Sequence, residues 1–281
     1  MPAALLLAML AQAAVPLSPS GQWILQGEQN GCTLLHAYGE GNLQVAIGLR
    51  PWPVGGWVDI LLYRGYLSID FDKGAAHLSV DGQTVADTPY EVYALTAGNL
   101  SQLVRFTLPE SALAVLDKAQ VATITLGKGH PISVTLPPMA RPLASLNNCQ
   151  TMLLSQLKID PSATHIATPP APLGDAKLWV QPQDYTEQRY GGVQGTTEIL
   201  LAVDTNGLVS NCIPFGSVGA ARLDDSACNA LRRRAKYRPA LDAEGKPITA
   251  YLYKAVTWGQ LNDHFTVRVS DPPTPPTSQS R

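Results

Sequence analysis

Hydrophobic and polar positions alternate at a period of two along residues 196–203. This period is typical of a half-buried β-strand, whose successive side chains point to opposite faces. The next four residues end in Asn206-Gly207, which supplies the positive φ values of a tight turn, and residues 208–214 predict the returning strand. One face of the first strand carries Thr197, Ile199, Leu201 and Val203.

The apolar period then changes to that of a helix. Asp224 or Asp225 can accept hydrogen bonds from the free amides at the helix start. Tyr237-Arg238-Pro239-Ala240 ends the helix, because proline disfavours a helical residue before it. The apolar stripe is formed by Leu223, Ala227, Leu231 and Ala235, and Arg232, Arg233, Arg234 and Lys236 lie mostly on the other side.

A last strand completes this region. Gly245-Lys246-Pro247 predicts a turn, and residues 248–258 predict a long strand after it. The predicted order is strand, strand, helix, strand, with an antiparallel sheet.

This order and spacing resemble the TonB C-terminal domain family over about residues 178–260. That family shows a strand ending in Val-Asp, a glycine turn, a Leu-Asp helix, an aromatic-x-Pro-Ala stop and a Gly-x-Pro turn. Tyr185 lacks the proline that commonly follows it in the family, and Gly216-Ser217 matches the family's Ser-Ser-Gly loop imperfectly. The matching positions are Gly195, Asp204, Gly207, Leu223, Asp224, Tyr237, Pro239, Ala240, Gly245 and Pro247.

The resemblance implies a non-enzymatic function in the cell envelope. Family members pair a sheet edge with a short segment of an outer-membrane TonB-dependent receptor, in support of transport. An open strand edge can accept such a segment by strand addition. The resemblance implies an outer-membrane receptor or another envelope protein as partner, no catalytic residue and no cofactor. The edge strand expected from it contains Ile248, Thr249, Tyr251, Tyr253, Ala255 and Thr257.

The rest of the chain departs from an energy transducer of this family. A transducer needs an N-terminal membrane anchor and a long proline-rich spacer, and here a β-rich domain and a short linker stand in that place. We therefore expect a TonB-related binding protein. The alternatives are a structural scaffold whose C-terminal domain forms a homodimer, and an enzyme whose site lies in the N-terminal domain.

Residues 21–157 predict a mostly-β domain, so the expected fold class is α+β. Short alternating runs separated by turns are typical of a sandwich or a partly closed barrel. Two helices interrupt them, at residues 111–118 and 146–157. The strands are expected at residues 22–26, 32–36, 42–50, 57–63, 66–71, 76–80, 91–95, 103–108, 122–126 and 132–136.

Composition and the chain ends define the remaining organisation. Residues are 45% hydrophobic and 15% charged, which favours a folded body. A net charge of -2 gives no argument for nucleic-acid binding. Residues 1–14 predict a cleavable export signal and hence a periplasmic location, with anchoring at the inner membrane as the alternative if this segment is not cleaved. Residues 158–175 predict an extended linker with a strand after it at residues 176–180, residues 176–265 the second domain, and residues 266–281 a disordered tail.

Four cysteines in an exported chain predict disulfide bonds. Three pairings are available, and metal ligation is the alternative, although no C-x-x-C or Cys/His cluster occurs. We favour the pairing in which each bond lies within one proposed domain, Cys32 with Cys149 and Cys212 with Cys228.

Two further patterns have both a structural and a functional interpretation. The basic run at residues 232–236 predicts a solvated helix face near the helix C-terminus, with nucleic-acid or lipid binding as the alternative. The turn between Trp52 and Trp57 predicts a packed loop, with a partner contact as the alternative. The five histidines are scattered, and we predict no metal site.

Overall fold

A nine-stranded antiparallel sheet forms the N-terminal domain of the computed structural model, which describes residues 15–28, 31–65, 74–95, 101–159, 166–185, 195–217, 221–261 and 264–271. The strand order is β1-β2-β3-β4-β7-β6-β5-β8-β9. The strands are β1 Pro19–Glu28, β2 Gly31–Tyr38, β3 Val45–Pro51, β4 Trp57–Arg64, β5 Ala75–Val80, β6 Gln83–Ala94, β7 Gln102–Pro109, β8 Val121–Leu126 and β9 Ile132–Thr135.

The segment before β1 brings the two ends of this sheet together. Leu17 donates from its backbone nitrogen to Ser133 at 2.8 Å and accepts from the nitrogen of Thr135 at 2.9 Å. The first and last strands are thereby joined at a short seam, and the sheet is a nearly closed barrel. The predicted mostly-β domain is confirmed, and the barrel is the form that it takes.

The barrel interior is filled by the inward side chains of its strands. Alternate residues such as Ile47, Ile60, Val104 and Ile124 are at least 92% buried, as the period-two pattern predicts. The remaining cavity has a volume of about 20 Å³. That volume is close to the space needed by a single water molecule, so the interior is a packed core.

Two helices accompany the barrel. Helix α1 (Ala112–Leu116) and helix α2 (Ala140–Gln156) bury Leu113, Leu146 and Leu153 against the barrel core. The first agrees with the predicted short helix. The second begins six residues earlier than predicted, because Pro142 lies in its first turn, where a missing N–H leaves no helical hydrogen bond unmade.

The segment between the domains is bound to the C-terminal domain along part of its length. Strand β10 (Ala171–Pro172) pairs with Tyr237–Arg238, and Thr168 exchanges backbone hydrogen bonds with Leu241. The strand predicted at residues 176–180 is wrong, because Ala176–Leu178 is a 3-10 turn. The Asp175 carboxylate accepts from the Lys177 nitrogen at 3.0 Å and so starts this turn.

The C-terminal domain has a four-stranded antiparallel sheet of order β12-β11-β16-β17. Within this sheet the predicted strand-strand-helix-strand order is present, with one strand more, and three two-residue strands lie outside the sheet. The elements are β11 Gly195–Val203, β12 Val209–Pro214, helix α3 Ala221–Arg234, β13 Tyr237–Arg238, β14 Ala240–Leu241, β15 Pro247–Ile248, β16 Ala250–Leu261 and β17 His264–Ser270.

The turn between β11 and β12 depends on Asp204 and Gly207. The Asp204 carboxylate accepts from the backbone nitrogens of Asn206 and Leu208, each at 2.9 Å. Gly207 has φ of 77°, and a Cβ there would lie 2.9 Å from the Tyr237 carbonyl carbon. Positive φ was expected at both Asn206 and Gly207, and only Gly207 has it. Asn206 does not need it, because the hydrogen bonds of the Asp204 side chain form the turn.

Helix α3 presents the predicted apolar stripe to the sheet. Leu223, Ala227, Leu231 and Ala235 are all at least 98% buried. The helix begins at Ala221, so Asp224 and Asp225 lie within its first turns, where carboxylates complement the helix dipole, and neither precedes the helix.

Several predictions concern residues beyond the described ranges. The export signal at residues 1–14, the strand at residues 66–71 and residues 272–281 of the tail lie there. The start of the tail at residue 266 is wrong, because β17 continues to Ser270. Its alternate residues Phe265, Val267 and Val269 pack against the core of the C-terminal domain.

Candidate functional site

The strand predicted as the binding edge has strand neighbours on both sides only along residues 255–258. β16 pairs with β11 along residues 250–258 on one side and with β17 along residues 255–261 on the other. Ala255 and Thr257 therefore have strand neighbours on both sides. Ile248 belongs to the separate β14–β15 pair, and Thr249 follows it. The predicted edge is therefore wrong at Ala255 and Thr257, because β17 continues the sheet beyond them, whereas Tyr251 and Tyr253 pair with β11 alone among the described strands.

The direction of the backbone groups follows from one hydrogen bond and the strand register. The Phe215 nitrogen donates to the Glu198 carbonyl at 3.0 Å, so Glu198 directs its backbone groups towards β12. Backbone groups alternate in direction along an antiparallel strand. The backbone groups of Ile199 therefore point towards β16, where its partner is Lys254. By the same alternation the backbone groups of Ala255 point towards β17, where its partner is Ser270.

The outer edge of β17 carries backbone groups that face away from the sheet. On β17 the backbone groups that point towards β16 are those of Thr266, Arg268 and Ser270. The N–H and C=O groups of the residues between and before them therefore point outward, at Phe265, Val267 and Val269. Among the residues that the structure describes, no other strand pairs with β17. This edge can therefore accept an added strand, and we define it as the β17 edge.

The opposite edge of the sheet is capped by side chains. Cys212 on β12 is paired with Leu201, whose backbone groups face β16, so the backbone groups of Cys212 face outward. Its nitrogen donates to the Asn211 side chain at 2.8 Å, and its carbonyl accepts from Arg232 at 3.4 Å. Side chains occupy these two positions, and strand addition there would have to displace them.

The tyrosines predicted to select a partner face the barrel instead. Tyr253 packs between Trp52 and Phe215, with ring centroids 4.5 and 5.0 Å away. Its hydroxyl bonds both backbone groups of Val54, accepting from the nitrogen at 2.6 Å. The turn between Trp52 and Trp57 thus packs against the C-terminal sheet through Trp52 and Val54, in agreement with its structural interpretation.

Charged side chains are buried where the barrel meets the C-terminal sheet. The guanidinium of Arg50 lies 2.6 Å from Asp59 on the barrel wall and 3.2 Å from Glu198 on β11. Arg105 forms an ion pair with Glu198 and another with Glu91. Thr107 donates to Asp59 at 2.7 Å. We call Arg50, Asp59, Glu91, Arg105 and Glu198 the interface charge cluster.

The pKa values of its two buried carboxylates are shifted in opposite directions. Burial raises the pKa of Glu198 to about 7. The positive charges of Arg105 and Arg50 act against this rise, but the negative charges of Asp59 and Glu91 offset them. Burial acts in the same direction on Asp59. There the positive charges of Arg50 and Arg105 outweigh it, and the pKa of Asp59 is lowered. Sequence reasoning missed Glu198, because its ion-pair partners Arg50 and Arg105 lie on two distant barrel strands.

Gly216 allows the loop after β12 to cross this cluster. A Cβ at this position would collide with the Glu198 carboxylate and lie 2.6 Å from Arg50 Nη2. The residue is buried, and only a hydrogen atom fits in the space. The Gly-Ser loop noted in the sequence therefore has a packing function at the domain interface.

Both predicted disulfides are confirmed. Cys32 is bonded to Cys149, which joins β2 to helix α2, with Cα atoms 6.1 Å apart. Cys212 is bonded to Cys228, which joins β12 to helix α3, with Cα atoms 5.6 Å apart. These separations lie in the usual range for disulfides.

The basic run of helix α3 has structural partners. Arg233 lies 3.0 Å from Asp184, Arg234 also pairs with Asp184, and the Arg234 Nε donates to the Trp179 carbonyl at 2.8 Å. The run was predicted to be a solvated helix face. Arg232, Arg233 and Lys236 are exposed as predicted, and Arg233 and Arg234 in addition pair with the segment before β11.

Comparison with known protein families supports the sequence resemblance. Residues 185–258 match the family model of the Gram-negative bacterial TonB protein C-terminal domain. The chain therefore carries a TonB C-terminal domain, and the barrel lies outside the match. No curated protein and no solved structure matches the chain.

Two further kinds of functional feature are absent from the described ranges. No helix there is both long and apolar enough to cross a bilayer. No group of three or more His, Cys, Asp and Glu side chains in the same ranges is placed to hold a metal ion.

Proposed function

We propose that this protein is a non-enzymatic, exported binding protein of the cell envelope. It binds an extended segment of an outer-membrane TonB-dependent receptor, or of another envelope protein, by strand addition at the β17 edge. The observation that carries the proposal is the outward row of backbone groups on Phe265, Val267 and Val269, in a domain of TonB type.

The geometry of the two sheet edges supports the choice of site. The β12 edge is occupied at Cys212 by Asn211 and Arg232, and the described part of β17 has no strand on its outer side. Backbone hydrogen bonds would give affinity, and alternate side chains of the added strand would give selectivity. Thr266 and Arg268 are exposed beside the edge and would meet half of those side chains.

Site-specific photocrosslinking in envelope preparations tests the location. A photoreactive residue at position 268 should crosslink to extended segments of outer-membrane receptors, identified by mass spectrometry of the joined peptides. A photoreactive residue at Ser210, which is exposed beside the capped β12 edge, is the matched control. Equal crosslinking from both positions would reject the β17 edge as the site.

A proline substitution tests the binding mode. Val267→Pro removes an outward N–H and keeps the inner ladder, so it should leave the domain folded and weaken capture of the crosslinked partner. Val267→Ala retains the N–H and controls for the lost side-chain packing. Arg268→Pro removes an inward N–H and should destabilise the sheet. If Val267→Pro binds as well as Val267→Ala, strand addition here is excluded, and a structural scaffold becomes the better interpretation.

A further inference from the structure

The barrel has an open strand edge of its own, along β1. β1 pairs with β2 on one side, and among the described residues no strand pairs with its other side. The seam at Leu17 lies before the strand begins and leaves residues 19–28 without a neighbour there. β1 is therefore a second place at which this chain can accept an added strand.

The backbone groups of Leu25 point to the open side of β1. Glu28 and Gly31 are partners across a connection of two residues, and the residues that flank such a turn bond each other. Because backbone groups alternate in direction along a strand, those of Ile24 then point towards β2 and those of Leu25 point outward. A second strand would therefore bond to β1 at Leu25.

The side chains of this edge do little to prevent pairing with another chain. Residues 20–27 contain no charged side chain and no proline, which are common safeguards on exposed strands. Two large apolar side chains in the middle of the strand are exposed instead, Ile24 by 57% and Leu25 by 40%. They lie on opposite faces of the sheet, so an added strand would cover apolar surface on both faces.

The sequence around Ile24 is nearly the same in both directions. Gly21-Gln22-Trp23 precedes it and Leu25-Gln26-Gly27 follows it. Positions equally far from Ile24 thus carry two large apolar residues, two glutamines and two glycines. An antiparallel pair of strands with a two-fold axis at Ile24 joins these matching positions, and such self-complementarity is what a symmetric dimer interface requires.

We propose that β1 binds the β1 strand of a second copy of this chain, antiparallel, with the two-fold axis at Ile24. Ile24 then meets its own counterpart, Trp23 meets Leu25, and Gln22 meets Gln26. The two barrel sheets join through this contact into one sheet that runs across the dimer.

The side chains on the inner face fit this register. Leu25 is the partner of Leu34, which is buried in the barrel core, and Trp23 packs against the same core with its ring 4.7 Å from that of His36. Residues directly opposite each other in an antiparallel pair share a face. Leu25 of one copy would therefore cover the exposed part of Trp23 of the other.

The charges also fit a second copy of the same chain. The first charged residue after the symmetric run is Glu28, and the two-fold axis places it opposite Ser20. The two Glu28 carboxylates therefore do not face each other. Like charges directly opposite destabilise a strand pair, and this register has none along residues 20–28.

The ladder between the two copies is expected to be short. The register of β1 with β2 shifts between Ser20 and Ile24, and Gly21 has φ of 88°, so regular pairing is limited to residues 22–26. Stable interfaces use about 20–30 residues from each partner. We therefore expect a reversible dimer with a dissociation constant of about 100 µM.

Sedimentation equilibrium of the full-length, oxidised protein tests the dimer. The dimer fraction should rise with concentration up to about 500 µM, and Ile24→Lys should weaken the dimer by about tenfold or more, because two like charges then meet at the axis. Leu43→Lys makes the same change at a side chain that is 71% exposed outside β1, and it should dimerise like the wild type. A wild-type protein that stays monomeric would overturn the proposal, as would normal dimerisation of Ile24→Lys.

Mixing two charge variants tests the register. Ile24→Lys and Ile24→Glu should each be mostly monomeric, and an equimolar mixture should form a heterodimer, because opposite charges then meet at the axis. Ile24 is exposed, so neither change should unfold the barrel. A mixture that stays monomeric would contradict an axis at Ile24. Dimerisation that is lost in Val267→Pro and retained in Ile24→Lys would place the contact at the β17 edge and reject β1.

Discussion

The hydroxyl of Tyr253 lies 2.6 Å from the backbone nitrogen of Val54 and also donates to the carbonyl of the same residue. Tyr253 is on β16 of the TonB-type sheet, and Val54 is in the loop between barrel strands β3 and β4. One phenol thus satisfies both backbone groups of a loop residue in the other domain. This contact fixes the loop against the sheet near the ring of Trp52.

Removing the phenol oxygen should weaken the domain interface. Tyr253→Phe keeps the ring packing and leaves two backbone groups of Val54 without their partner, so we expect a loss of about 1–3 kcal/mol in the free energy of unfolding. Denaturant titration of the full-length protein measures this loss. Tyr38→Phe, in the barrel core, is the comparison, because the Tyr38 hydroxyl has no hydrogen-bond partner among the described residues. A Tyr253→Phe variant as stable as the wild type would show that water replaces the phenol without cost.

The core of the C-terminal domain gives a second prediction. Leu231→Ala removes a fully buried side chain from the contact between α3 and the sheet, so it should cost about 2–5 kcal/mol of unfolding free energy. Arg233→Ala alters a side chain that is 58% exposed and should cost about 0.5 kcal/mol or less. Urea titration of both variants provides the comparison. Equal losses would mean that the helix packs through a different face.

Gly216 and Gly259 provide a matched pair of glycine substitutions. Gly216→Ala places a methyl group against Glu198 and Arg50 and should destabilise the protein by about 1–3 kcal/mol. Gly259→Ala adds the same group on β16, where a Cβ would have no atom within 4 Å, and should be neutral or slightly stabilising. Thermal unfolding distinguishes the two. Similar melting temperatures would show that the loop over the charge cluster can move aside.

Export and disulfide formation can be checked together by mass. The mature protein is expected to begin near Ala14 and to contain no free thiol, because the apolar N-terminus predicts a cleaved signal and both cysteine pairs are bonded. Intact-mass measurement of protein from the envelope, alkylated with and without prior reduction, gives both answers. Retention of Met1 would contradict the signal prediction, and alkylation without reduction would contradict the disulfides.

Local patterns in the sequence were sufficient for the hairpin and the helix of the C-terminal domain. Ile199 and Leu201 alternate with their neighbours, Leu231 repeats at helical spacing, and Pro239 ends the helix. Each of these signals depends on residues within a few positions of one another. The cysteine pairing also followed, because each bond stays within one domain.

The parts that local patterns could not supply depend on distant residues. Glu198 lies within an apolar run, and its function depends on Arg50 and Arg105, which pack against it only in the folded chain. Tyr253 was predicted to face a partner, and the barrel covers it instead. Phe265, Val267 and Val269 did show alternation, but the proline-rich residues that follow them favoured a tail.

The seam at Leu17 has a consequence for the order in which the barrel can form. Leu17 pairs with Val134, and Cys32 bonds to Cys149, so both links join chain positions 117 residues apart. A chain that emerges from its N-terminus cannot complete the first link until β9 has followed, or the second until helix α2 has followed. Until β9 has followed, the backbone groups of Leu17 lack the strand that they pair with in the finished barrel. Such contacts between distant positions form slowly, and an unpaired edge is a template for aggregation, so the nascent barrel is most vulnerable in the interval before its last strand arrives.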